Sequence, residues 1–267
     1  MMELYQVVVL ALLQGLTEFL PVSSSAHLLF PSLLLGWTDQ GLAFDVAVHV
    51  GTLSAVLLYY RKDLMLMADR WLRSLTGGAS SQDSRMVWYL LLATVPAGVA
   101  GLIGGGFVED HLRNLPVIAT TTLVFGLLLG LADHRVRSAV VERPVSLTIA
   151  VLVGVAQMLA LVPGVSRSGV TMTAALLLGM GRQGAARFSF LLSIPIIASA
   201  GLLKTVELAG GDSVVDWLSL GVGAVVSGLA AYACIAAFLR LLDKVGFMPF
   251  VYYRIGLALL LYLMWLV

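Results

Sequence analysis

Two short polar stretches interrupt a chain that is otherwise almost continuously apolar. They are Pro21-Val22-Ser23-Ser24-Ser25-Ala26-His27 and Pro163-Gly164-Val165-Ser166-Arg167-Ser168-Gly169. Just ahead of the first, Gln14 and Glu18 are four residues apart, so on a helix they share one face. Pro21 ends that helix, and the serines behind it cap the next, leaving backbone N–H groups for an anion. The second stretch repeats the plan and sets Arg167 at a helix start after Pro-Gly. Helix N-termini with hydroxyls bind phosphate, and the planar guanidinium fork suits its oxygens. Together these groups make a phosphoryl-transfer set. Glu18 supplies its carboxylate, His27 its imidazole and Arg167 its guanidinium, while Gln14, Ser23, Ser24, Ser25, Ser166, Ser168 and Thr171 supply an amide and hydroxyls around the phosphates. A serine or His27 attacks. Glu18 either moves a proton or holds a metal. Individually, the hydroxyls could instead bond only to the preceding helical turn. Asp45 and His49, again four apart, could bind a metal, close the site, or form an internal hydrogen-bonded pair.

The elements that must position these groups belong to a membrane. The chain is 60% hydrophobic and 12% charged, with a mean hydropathy of +0.98; soluble domains carry about 25% charged residues. A net charge of +1 suggests no nucleic-acid partner. Cys234, the one cysteine, sits in an apolar run and reads as a buried bystander. The segment from Leu4 lacks a basic leader and a small-residue cleavage site, so it is expected to stay in the mature protein. Spanning helices need about 20 apolar residues, which predicts six, over 41–60, 86–107, 115–132, 185–205, 215–240 and 249–267. The intervening 61–85 reads as a loop. Segments 4–19 and 24–35, like 146–161 and 169–180, are short arms around the polar breaks. They read as re-entrant helix hairpins, the alternative being kinked helices that span fully. Either way the fold class is all-α, one polytopic membrane domain over 1–267.

Sliding the chain by 143 positions aligns Gln14 with Gln157, Ser23 with Ser166, Ser25 with Ser168 and Gln40 with Gln183. That gives roughly thirteen identities in about 42 ungapped positions. Internal repeats over roughly 1–132 and 145–267 follow. Basic residues fall in 61–85 (Arg61, Lys62, Arg70, Arg73, Arg85), in 133–144 (Arg135, Arg137, Arg143) and at Arg240 and Lys244, making those connections cytoplasmic. Glu109, Asp110, His111 and Arg113, and Glu207, Asp212 and Asp216, lie on the external side. Three crossings then separate the hairpins, so the repeats are inverted and their tips are expected to meet near the midplane.

Gln14-Gly-Leu-Thr-Glu18-Phe-Leu-Pro-Val-Ser-Ser-Ser-Ala-His27 and Pro163-Gly-Val-Ser-Arg-Ser-Gly-Val-Thr171 resemble the two signatures of bacterial undecaprenyl-diphosphate phosphatases of the bacitracin-resistance type. The likeness extends to Arg187-Phe-Ser-Phe-Leu-Leu-Ser-Ile-Pro195. It implies that Glu18, Ser24, His27 and Arg167 hold the family's functional positions, with Ser24 attacking and His27 as base or leaving-group acid, or with His27 itself as the nucleophile. It implies hydrolysis of the C55 isoprenoid diphosphate to its monophosphate, recycling the cell-wall lipid carrier. It also implies a plasma-membrane (inner-membrane) location, an outward-facing site and bacitracin resistance on overexpression. A divalent cation, Mg²⁺ or Ca²⁺, is expected to bridge Glu18 and substrate. Gln14 stands where the family admits Glu or Gln, and Ala26 where Gly is common. A homodimer is compatible with the sequence. The rival readings are a transporter or flippase for a prenyl-phosphate lipid, which would show the same inverted repeats, and a type-2 phosphatidic-acid phosphatase. The latter lacks support: no His follows Arg167 at the required distance.

Overall fold

Apolar length sorts the helices into two kinds. At 1.5 Å per residue, about 20 residues are needed to cross a hydrocarbon core about 30 Å thick. The computed structural model describes residues 3–37, 41–137, 143–209 and 216–266, and among these every regular element is helical. Five helices meet the length and apolarity test: α5 (Gln82–His111), α6 (Leu115–Arg137), α9 (Arg182–Ala209), α10 (Trp217–Val245) and α11 (Met248–Leu266). A sixth span is met only by a bent pair taken together, α3 (Gly41–Tyr59) and α4 (Arg61–Leu75), which meet at 77°. The six agree with the expected spans. Helices α5, α6, α9 and α10 are longer than expected, and polar caps fix two of the starts: Ser81 Oγ accepts from Ser84 N at 3.1 Å ahead of α5, and Asp216 Oδ1 from Ser219 N at 3.2 Å ahead of α10.

The other kind is too short to span. Helix α1 (Leu4–Thr17) is followed by α2 (Ser24–Leu35), and α7 (Leu147–Gln157) runs through a 3₁₀ turn (Met158–Leu161) before α8 (Arg167–Leu177). The paired arms pack on each other, α1 on α2 and α7 on α8, so each pair is a hairpin. Element order runs in parallel through α1–α6 and α7–α11, with α4 the extra piece. Gln40 and Asp212, and the side chains of Glu109, Arg137 and Glu207, lie outside the described residues.

Residues 61–75 are a helix, not the loop that their charge suggests. In α4 the apolar Leu64 and Met67 turn inward onto the core while Arg61, Lys62, Arg70 and Arg73 turn out. Asp63 accepts from Arg187 Nη2 at 2.8 Å, tying α4 to α9. Charge density hid a 3.6-residue period.

Close helix contacts set the rest. Helix α1 packs on α10 and α7 on α5, and both approaches depend on a missing side chain. A Cβ on Gly15 would lie 2.5 Å from Ser227 O, and one on Gly154 would lie 2.5 Å from Ala93 O. On α3, a Cβ at Gly51 would lie 2.2 Å from Ala224 O. The colliding atom is backbone and cannot swing aside. Cys234 is buried and its thiol donates to Leu16 O at 3.2 Å, fitting a bystander role. Gly51→Leu is expected to cost about 3 kcal/mol or more by forcing α3 off α10, read as a lowered thermal transition in detergent; an unchanged transition would mean these helices do not pack so closely.

Candidate active site

The first tip begins where α1 runs out. Glu18 keeps helical geometry, its N–H donating to Gln14 O at 3.0 Å, and Pro21 then prevents further helix. Ser23 follows with φ +74°. The second tip makes the same move: Gly164 turns at φ +89°, Ser166 sits at φ +72°, and α8 starts at Arg167. Ser23 and Ser166 are the only non-glycine residues with positive φ among the described residues, and they occupy equivalent positions in the 143-residue alignment. Such conformations are costly and persist only where surroundings over-determine them.

The tips meet. Arg167 Nη2 donates to Glu18 Oε1 at 2.8 Å, and Ser168 Oγ donates to Leu20 O at 2.8 Å. Glu18 Oε2 accepts from Gln14 Nε2 and from Ser24 Oγ, each at 3.0 Å. Arg167 also donates from Nη1 to Ser189 O at 3.2 Å and lies over the Phe19 ring at 5.9 Å. Glu18 is 8% exposed and the Arg167 side chain 13%, so this ion pair is largely desolvated. Such a pair needs its remaining hydrogen bonds satisfied to repay desolvation, which Gln14, Ser24 and Ser189 help to do.

A cavity of about 390 Å³ opens above the pair. Glu18, Ser23, Ser24, Ser25, Ser166 and Arg167 line its polar base. Asp45 and His49 stand on one side, and Ile196, Ile197, Ala200, Gly201 and Lys204 form a face of α9 on the other. A smaller cavity of about 200 Å³ adjoins it, lined by Gln14, Ser24, Ser25, Asp45 and His49 among others. His49 Nδ1 donates to the backbone O of Asp45 at 2.7 Å, and its Nε2 is 3.9 Å from Glu18 Oε2.

Three predicted residues stand elsewhere. Thr171 is buried, bonded to Ser189 Oγ at 2.7 Å and to Arg167 O at 2.9 Å, so it braces α8 and does not line the cavity. Ser168 stitches the tips together from behind. His27 does not bond to Ser24: its Nδ1 meets Ser23 O at 2.7 Å and its Nε2 meets the Tyr253 hydroxyl at 2.5 Å. Ser24 is paired with Glu18 instead.

Sequence reasoning missed Arg254, which is fully buried on α11. Its guanidinium donates to Pro21 O at 3.2 Å in the first tip, and to Gly164 O at 2.9 Å and Val165 O at 3.1 Å in the second. It also donates to Thr122 O at 3.0 Å and Thr121 O at 3.4 Å on α6. One side chain thus clamps both tips through carbonyls. A lone arginine within the apolar run 249–267 was the available signal, since ionisable groups at membrane depth are costly and rarely idle.

Fold and site together define a polytopic all-α membrane protein whose bundle encloses a cluster of serines, a carboxylate and an arginine. The chain belongs to the bacitracin resistance protein BacA family, whose family model matches residues 7–260. It is 54% identical over 260 residues to the undecaprenyl-diphosphatase of Hahella chejuensis, covering 97% of each chain. It is 53% identical over 262 residues to that of Teredinibacter turnerae, covering 98% of this chain and 99% of the other. To the undecaprenyl-diphosphatase of Colwellia psychrerythraea it is 53% identical over 272 residues, covering 98% of this chain and all of the other.

Replacing Arg254 strips charged donors from buried carbonyls. Arg254→Met is expected to destabilise the protein by about 3 kcal/mol or more, seen as a lowered thermal transition. Arg254→Lys, with one point-like ammonium, should fall between Met and wild type; a wild-type transition for Met would show that the clamp is idle.

Proposed function

We propose that the chain is an undecaprenyl-diphosphatase. It hydrolyses the terminal phosphoanhydride bond of the C55 lipid diphosphate, consuming one water and yielding inorganic phosphate and the lipid monophosphate. The observation that carries this reading is the Ser24–Glu18–Arg167 cluster at the base of a cavity with an apolar wall. A substrate with a charged head and a prenyl tail fits such a cavity. Hydrolysis returns the carrier lipid to cell-wall synthesis, and excess enzyme confers bacitracin resistance by the same reaction.

The mechanism follows from the hydrogen bonds. Ser24 Oγ, already donating to Glu18 Oε2, attacks the terminal phosphorus as its proton passes to Glu18. The bond from that phosphorus to the bridging oxygen breaks, and the lipid monophosphate leaves. Once Glu18 is protonated it no longer balances Arg167, whose charge then turns to the phosphoryl oxygens. The N-termini of α2 and α8 add backbone donors to the same oxygens. The departing lipid monophosphate takes the proton from Glu18, which is then a carboxylate again. Glu18 next takes a proton from water as its oxygen attacks the phosphoserine phosphorus; the bond from phosphorus to Ser24 Oγ breaks, inorganic phosphate leaves, and Ser24 Oγ recovers its proton from Glu18.

A divalent cation, Mg²⁺ or Ca²⁺, belongs to the reading as a companion of the diphosphate. Glu18 already accepts from Arg167, Gln14 and Ser24, leaving it little capacity for a metal. Gln14 Oε1 is buried with no donor among the described residues and lines the smaller cavity with Asp45, so hard oxygen atoms are on hand. These two would hold the ion beside the phosphates, and it would supply charge neutralisation there.

Orientation rests on α9. Its first turns sit beside the basic helix α4, through Arg187 and Asp63, and basic segments stay cytoplasmic. The cavity climbs α9 the other way, toward Lys204. On this reading its opening faces the external side of the bacterial inner membrane.

Phosphate release from C55 and C15 diphosphates by purified protein in detergent tests the reading, since no translocation can be scored there. Ser24→Ala is expected to lower kcat about a thousandfold and to abolish a trapped phosphoenzyme, with Glu18→Gln losing about a hundredfold or more. Full activity in Ser24→Ala would remove the serine from the mechanism.

A further inference from the structure

We infer that His27 acts on the backbone of Ser23 instead of on the substrate, and that Tyr253 is the positioning residue that keeps it there. A carbonyl can only accept, so the 2.7 Å contact with Ser23 O puts the proton of neutral His27 on Nδ1. Nε2 is then an acceptor, and the Tyr253 hydroxyl donates to it at 2.5 Å. The two rings also stack, with planes 8° apart and centroids at 5.6 Å. Both ring nitrogens are occupied, and His27, 5% exposed, does not line the cavity that Ser24 and Glu18 share.

Comparison of the two tips shows what the imidazole is for. At the second tip the strained Ser166 is held by ordinary means. Its carbonyl accepts from Val170 N at 2.9 Å, and its hydroxyl caps α8 by accepting from Gly169 N at 3.1 Å. At the first tip neither support is at full strength. The matching backbone bond, from His27 N to Ser23 O, is stretched to 3.4 Å, and Ser23 caps nothing, its hydroxyl meeting Ser25 Oγ instead. The His27 side chain supplies the missing hold, where the second tip has Val170. In a trans peptide the carbonyl of Ser23 and the N–H of Ser24 point opposite ways. Pinning the carbonyl toward His27 aims the Ser24 N–H at the cavity side, where charge develops on the phosphoryl group. Tyr253 serves this aim by holding the ring in the Nδ1–H tautomer.

This inference rests on Ser24 as the nucleophile, and amide substitutions separate it from a proton-transfer role. Asparagine places its side-chain N–H where Nδ1–H was but cannot carry a proton. Glutamine reaches toward Tyr253 and leaves Ser23 unheld. His27→Asn is expected to keep kcat within about tenfold of wild type, while His27→Gln and His27→Ala lose about a hundredfold with KM little changed. Tyr253→Phe keeps the ring and removes one hydroxyl. It should lower kcat about tenfold alone, and add nothing in the His27→Asn background. Asparagine as inactive as alanine, or full activity in Tyr253→Phe, overturns the inference. An active Ser24→Ala overturns the parent mechanism, whatever the histidine variants do.

Discussion

The contact between Glu18 and Arg167 is the constraint on which the rest of the molecule depends. It joins residues 149 positions apart, on two hairpins that do not reach across a bilayer. Burying the pair is expensive, and removing either charge would leave the other stranded. The surroundings are built to make it tolerable. Gln14 and Ser24 complete the carboxylate, the Ser189 carbonyl accepts a hydrogen bond from the guanidinium, and Phe19 lies beneath Arg167. Ser23 and Ser166 adopt unfavourable backbone angles so that the hydroxyl of one tip and the guanidinium of the other begin their helices side by side. Arg254 holds the loops that make this possible, trading its own hydration for carbonyls from both tips and from α6.

The same contact gives a reason for the site to lie within the membrane. A lipid diphosphate brings its charge to the headgroup level and its tail into hydrocarbon. On the proposed reading, a cavity with serines and a guanidinium at its base, and Ile196, Ile197, Ala200 and Gly201 along one wall, accepts both ends without pulling the tail into water. Exclusion of water also strengthens every charge interaction at the base. In the proposed mechanism, arginine held in reserve by a carboxylate stays neutralised until the serine gives up its proton, and charge is delivered at the moment phosphorus begins to bear it.

Much of this was legible in the residues. The breaks at Pro21 and Pro163, the spacing of Gln14 and Glu18, and the placing of Arg167 between serines are local patterns, and local patterns survive in sequence. The six long helices follow from apolar runs alone. What sequence concealed depends on three-dimensional partners. Arg254 finds its role only because three separate segments turn carbonyls toward it, and Tyr253 only because α11 passes beside α2. Thr171 and Ser168 look like phosphate ligands by type, yet they face Ser189 and Leu20 once α8 is docked. Helix α4 was masked by its charges, whose period becomes visible only against the apolar face they leave behind.

Vanadate, which mimics phosphorus in the act of transfer, tests most directly whether chemistry occurs where the two tips meet. In a high-resolution structure of the protein with vanadate bound, vanadium is expected within bonding distance of Ser24 Oγ, with one oxygen accepting a hydrogen bond from Arg167. Vanadium attached to His27, or lodged away from both tips, would contradict that placement.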